Sequence, residues 1–353
     1  MRSGEPFLAG LGRGRTLLLP VGAFGVLTLL SALLSEVPSR TLPEVRGLWT
    51  FLLLPAALLV LRDREDVDLV LDALRLSAFC LVAAAAVELS MGRGDLETRL
   101  RGGTSNHMTF AGVLLPMVLA LLARGVSSGG TRRRRTLDLA AAGLGTGVLV
   151  LTLTRNAYAG LLAGLGVLLV LLRPWLVAAV PAVLAAFLLL APAAVRQRAL
   201  SSFDPADPTV ADRLLMWRAG LAMVEERPLV GMGPGQVNER YPRYRLPGVF
   251  LEKPGHLHNN VVMLSAETGV PSALAYLWFV GAALVAGARL SLPRAPAAAR
   301  AVARGAVAAL AALTVAGLFE FNFGDVEVLR LTLLLSCLPL AAAPAARQEA
   351  LRA

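Results

Sequence analysis

Ten stretches of 17 to 23 mostly apolar residues recur along the chain, at about 16–35, 46–62, 68–90, 107–123, 136–153, 156–172, 174–193, 268–288, 302–320 and 326–344. A helix needs about 20 such residues to cross the roughly 30 Å hydrocarbon core of a bilayer. The expected fold is therefore an all-α polytopic membrane protein with about ten transmembrane helices. Composition agrees: 56% of the residues are hydrophobic, 16% are charged and the mean hydropathy is +0.66, outside the range of a soluble domain. The closely spaced run from 136 to 193 divides at Thr154-Arg155-Asn156 and at Arg173-Pro174, where charge and proline end helices.

Arginine placement checks the count, because short cytoplasmic connections collect Lys and Arg. With the N-terminus inside, the inner segments hold Arg2, Arg13, Arg15, Arg62, Arg64, Arg124, the Arg132–Arg135 run, Arg173, Arg289, Arg294, Arg300, Arg304, Arg347 and Arg352. The short outer loops hold Arg40, Arg46, Arg93, Arg99, Arg101 and Arg155. Both termini are then cytoplasmic. The net charge of +10 is accounted for by this asymmetry, and nucleic acid is not an expected partner. Arg2, Arg13 and Arg15 precede an apolar run too long for a signal-peptide core, with no small-x-small cleavage site, so that run is the first span. Cys80 and Cys337 each lie inside an apolar run and form neither a disulfide framework nor a thiolate site.

One connection is long. Residues 194–267 form a polar segment on the outer face and divide the chain into membrane portions at 1–193 and 268–353. Such a connection is functional or disordered. Met216, Trp217, Met223 and Phe250 favour order, as an apolar set able to pack. Thr209 with Asp212 predicts a capping box opening a helix that runs to about Glu226 and stops before Pro228. "GMGPG" at 231–235 has no following Lys-Ser/Thr and no preceding strand, which points to a tight turn re-entering toward the membrane rather than a nucleotide loop.

Charge near membrane depth costs about 3 kcal/mol or more on insertion scales, so ionisable groups there are functional candidates. Arg155, the 194–267 segment, "RGGTSNH" at 101–107 and "EFNFGD" at 320–325 all fall on the outer face. Arg155 is either a snorkelling helix-end residue or an anion clamp, since guanidinium binds phosphate bidentately. Arg213 and Arg218 are candidates of the same kind or the solvated face of a helix, and Arg213 lies one turn from Trp217, within reach of stacking. His256 and His258 have metal-ligand spacing but no third ligand of obvious spacing, so the expected metal content is none. They remain loop anchors or acid–base groups. Glu267 and Glu320 are candidates for helix caps or arginine partners.

Three stretches, "LTLTRNAYAG" (151–160), "DRLLMWRAGLAMVEERPLVGMGPGQVNERY" (212–241) and "HLHNNVVMLSAETGVPSALAYL" (256–277), resemble the signature regions of the O-antigen ligase and O-antigen polymerase superfamily. "RGGTSNHMTFAGVLLPMVLA" (101–120) is similar to that family's earlier loop and span. The resemblance runs from about residue 95 to 330, and it implies about two spans more than the ten counted here. It implies a metal-independent, cofactor-free transfer from an undecaprenyl-diphosphate-linked glycan to a lipid A–core or other glycan hydroxyl at the periplasmic face of the inner membrane. Carried over by position, Arg155 and Arg213 would hold the diphosphate and His258 would be the essential loop histidine. Arg101, Arg218, His256, Asn259 and Glu267 complete the expected substrate-binding set. Ligase is the leading expectation, polymerase the alternative, and solute transport a third reading that the mostly featureless spans disfavour.

Overall fold

The computed structural model describes residues 9–127, 130–204, 207–249 and 254–343. Phe250, expected to pack in the long connection, lies outside the described residues. The first half holds α1 (Ala9–Arg13), α2 (Arg15–Leu33), and α3 (Pro38–Thr41) running through a 3-10 segment into α4 (Leu53–Val60). Then follow α5 (Arg64–Ser90), α6 (His107–Gly125), α7 (Arg132–Leu151) and α8 (Arg155–Leu172). The middle contains α9 (Val180–Leu190), α10 (Ala193–Leu200), α11 (Pro208–Glu226), α12 (Gln236–Arg240) and α13 (Asn260–Thr268). The described residues end with α14 (Val270–Leu290), α15 (Ala297–Ala316) and α16 (Val326–Ala342). Every regular element among the described residues is helical, and the protein is an all-α polytopic membrane protein.

Seven of these stretches are long and apolar enough to span a bilayer: α2, Pro38–Val60, α5, α6, α8, α14 and Ala299–Ala316 within α15. The other three expected spans are less regular. Helix α7 opens on Arg132–Arg135, α16 has 17 residues, and 174–190 is broken into a 3-10 turn and the 11-residue α9. The expected span at 302–320 stops at Ala316, which frees Glu320 to lie in a turn.

Helices α6 and α15 form the enclosed centre. Gly160 and Gly164, four residues apart on α8, face α15 and α6: a Cβ at 160 would meet Ala312 O at 2.7 Å, and one at 164 would meet Leu119 Cδ1 at 2.3 Å. Small residues at this spacing let helix backbones approach without a hydrophobic drive between them. At one end of the bundle Asp138, fully buried, accepts from Arg124 at 2.6 and 2.7 Å and from Arg75 at 3.0 Å, while Asp72 pairs with Arg124 and Arg134 at 2.9 and 2.8 Å. This network ties α5, α6 and α7. The opposite end receives the long connection.

That connection has its own apolar cluster, built from Met216, Met223, Met232, Val237, Tyr241 and Leu257 among others. Met216 and Met223 pack as expected, but Trp217 lies against Phe319, ring centroids 6.3 Å apart. The predicted cap is corrected: Asp207, not Thr209, opens α11, its carboxylate accepting from the N–H groups of Thr209 and Val210. Pro208 takes the first helical position, where its missing N–H costs nothing.

Candidate active site

The histidine loop is bolted to the turn between α15 and α16 by its two asparagines. Asn259 caps α13, accepting from Val262 N at 3.0 Å, and donates to Leu318 O at 2.9 Å. Buried Asn260 donates to Tyr276 Oη at 3.0 Å and Asn322 Oδ1 at 2.7 Å, and accepts from Phe323 N at 3.1 Å. Gly317 makes room for this: a Cβ there would lie 2.2 Å from Asn260 Nδ2. Leu257 is fully buried in the second apolar cluster, and His258 has φ +50°, a left-handed conformation rare for a side chain of its size. The result is that both imidazoles face Glu320.

His258 Nδ1 lies 2.9 Å from Glu320 Oε2, His256 Nε2 lies 3.3 Å from Oε1, and Arg213 Nη2 lies 3.7 Å from Oε2. Burial would raise the Glu320 pKa, but the hydrogen bond and charge of His258, then His256 and Arg213, hold it below the usual carboxylate range. Burial lowers His256. With the carboxylate as acceptor, Nδ1 of His258 is the donor, so in the neutral imidazole Nε2 is the nitrogen with a free lone pair. The ligating atoms of His256, His258 and Glu320 all lie within 4.8 Å of one another, a set that could hold a metal ion. Arg213 already supplies positive charge to that carboxylate, which opposes a divalent cation at the same place.

Beside this cluster lies a basic chamber of about 370 Å³ lined by Arg99, Arg101, Arg155, Arg198 and Arg213. Arg155 opens α8 after Leu153, which has φ +54°. Its guanidinium donates to Asp207 Oδ1 at 2.9 Å and to Ser201 O at 3.1 Å. Burial would raise Asp207, but the bond and charge of Arg155 and the N–H groups of Val210 and Thr209 override it and hold the carboxyl at about 2. Arg213 Nε is buried without a hydrogen-bond partner. A second chamber of about 680 Å³ contains His256, His258 and Glu320, and His107, Met108 and Asn156 line both.

The remaining expected residues are distributed unevenly. Arg101 lines the basic chamber. Glu267 lines the second chamber and accepts from Gly235 N at 2.5 Å; burial, opposed by that hydrogen bond and aided by the charge of Glu44, pushes it up to about 7. Arg218 is exposed and lines neither chamber. Five residues along a helix turn about 140° away, so Arg213 and Arg218 cannot face the same side. The "GMGPG" loop has positive φ at Gly231, Gly233 and Gly235 and packs against α13, Met232 N and Gly233 N each bonding at 2.8 Å to the carbonyls of Ala266 and Glu267. It is a structural turn against α13 and the end of α2, where Ser31 Oγ donates to Val230 O at 2.5 Å. Arg99, Arg198 and His107 were not assigned from sequence; their only signal was position in outer-face connections.

A multi-pass helical protein with adjoining arginine-rich and imidazole–carboxylate chambers at one end is the class defined by these observations. Residues 140–277 match the Wzy_C family model, described as O-antigen ligase. Over that stretch the chain is similar to the O-antigen ligase family, and Arg155, Arg213, His256, His258, Asn259 and Glu267 fall within the matched residues. Among curated proteins there is no match.

Proposed function

We propose that the protein is an O-antigen ligase-type glycosyltransferase, moving a glycan from undecaprenyl diphosphate to a lipid A–core sugar hydroxyl with inversion and without a metal. The observation that carries this reading is the junction of the two chambers at His107, Met108 and Asn156. A lipid-linked sugar needs those environments side by side: guanidiniums for the diphosphate and a base for the acceptor.

In the proposed step the acceptor hydroxyl attacks the sugar C1 as the C1–O bond to the diphosphate breaks. The bonding pair goes to the phosphate oxygen, and the hydroxyl proton goes to His258 Nε2. Arg155 and Arg213 stabilise negative charge that grows only as that bond breaks, so their interaction is stronger in the transition state than in the ground state. Glu320 holds His258 in the basic tautomer and offsets the imidazolium that forms. In this reading the protein lies in the inner membrane, and the arginine asymmetry supports both termini cytoplasmic and the segment 194–267 periplasmic, with 1–193 and 268–353 as the membrane portions.

The test is transfer by the protein in liposomes supplied with lipid-linked donor and core acceptor. Arg155→Ala, Arg213→Ala and His258→Ala should each remain membrane-inserted and lose transfer. Normal turnover in the His258 variant removes the base, normal turnover in both arginine variants removes the clamp, and inhibition by chelators removes the metal-free step. A polymerase of the same superfamily would use the same donor chemistry. A deletion strain separates the two: loss of a ligase leaves full-length polymer on the lipid carrier, whereas loss of a polymerase leaves core capped with single repeat units.

A further inference from the structure

Three arginines of the basic chamber have no part in the step described above, exposed Arg101 and half-buried Arg99 and Arg198. Arg99 donates to Leu96 O at 3.3 Å and contacts His107 Nε2 at 2.9 Å, and Arg198 donates to Leu153 O at 3.4 Å. Neither forms an ion pair with a carboxylate among the described residues, although exposed Glu97 lines the same chamber. Arg155, by contrast, is paired with Asp207, and Arg213 shares Glu320. The chamber thus holds two half-buried positive charges beyond those it neutralises itself.

Those charges are pressed together. Burial, then the charges of Arg155 and Arg99, drives Arg198 down to about 10, and burial with Arg155 lowers Arg99. Like charges gathered in a low-dielectric cleft are relieved by a multivalent anion. His107 fixes one of them: guanidinium can only donate, so Nε2 is the acceptor and Arg99 is held toward the junction of the chambers.

We infer that Arg99 and Arg198 are further donor-site residues that take up the charge gained when the lipid diphosphate leaves, so the chamber is matched to a free diphosphate rather than to a single phosphate. This rests on the donor reading above. A glycosyl diphosphate ester carries two negative charges, and the released diphosphate, with its terminal phosphate ionising near pH 6, carries about three at neutral pH. Arg155 and Arg213, each partly offset by Asp207 or Glu320, orient the diphosphate, and the unpaired guanidiniums of Arg99 and Arg198 supply the net positive charge that holds it as its own charge grows. The consequence is product inhibition, with the released carrier diphosphate competing for the donor site.

The probe is inorganic pyrophosphate, titrated against the full-length protein in detergent at fixed ionic strength, with orthophosphate alongside. The wild type should bind pyrophosphate at least about tenfold more tightly than orthophosphate, since each charge-assisted bond is worth about a factor of ten or more. Arg99→Gln and Arg198→Gln should each weaken pyrophosphate about tenfold, and Arg132→Gln, exposed at the start of α7 at the other end of the bundle, should not. Arg99→Lys and Arg198→Lys, which keep the charge, should recover part of the loss and guard against misfolding of the Gln variants. Wild-type affinity in both Gln variants, or equal affinity for the two anions in the wild type, overturns the inference. Transfer from lipid-linked donor is scored separately: a protein that binds pyrophosphate as described but transfers no glycan refutes the transferase reading, while active transfer with unselective anion binding refutes this one alone.

Discussion

At the scale of single residues, the account turns on Glu320. Its carboxylate meets one imidazole with each oxygen and has Arg213 beside it. Glu320→Gln should lower kcat about 10–100-fold with little change in KM, because a neutral amide no longer stabilises the imidazolium; His258→Ala should cost about 10²–10⁴-fold. Initial rates on a lipid-linked donor check both. Glu267 provides a pH test. Its folded pKa is raised to about 7 from the ordinary 4.5, so its contribution to stability is fully present below about 4.5 and is lost as pH rises through about 7. Melting temperature should fall from pH 5 to pH 8 in the wild type and fall less in Glu267→Gln. His258, Arg155 and Arg213 stand out in the chain because each sits in a recognisable local motif. Glu320 could not be paired with them in advance: it is 62 residues from His258, and only the asparagine-bolted turn brings the two together.

At the scale of elements, glycines and buried charge decide which helices touch. Gly164→Leu should drive α8 away from α6 and α15, since even a Cβ there would come within 2.3 Å of Leu119; overpacking of this kind costs about 1–3 kcal/mol or more. Asp138→Ala removes the fully buried partner of Arg124 and Arg75 at the other end of the bundle and leaves both to Asp72, a loss of up to about 3–5 kcal/mol. Thermal unfolding in detergent, monitored by size-exclusion fluorescence, should show both variants destabilised, with Asp138→Asn milder than Asp138→Ala. Long apolar runs made the helices legible from sequence. Their ends were less so, because hydropathy does not register capping: Asp207 opens α11 by accepting two N–H groups, and α15 stops four residues before Glu320.

At the scale of the whole molecule, residues far apart in sequence meet at one end of the bundle. Arg155 begins α8, Glu320 follows α15, His107 begins α6, and the histidine loop precedes α13. The fold returns these segments to the same end of the bundle, where they line the two chambers. The shared lining at His107 and Asn156 could not be foreseen, because it depends on α6 and α8 packing side by side. If guanidiniums hold the leaving diphosphate in one chamber while His258 deprotonates the acceptor in the next, attack comes from the face opposite the departing group. The decisive measurement is nuclear magnetic resonance of the linkage made by the reconstituted protein from a lipid-linked donor of known anomeric configuration. Inversion at C1 is the predicted result; retention would contradict the account.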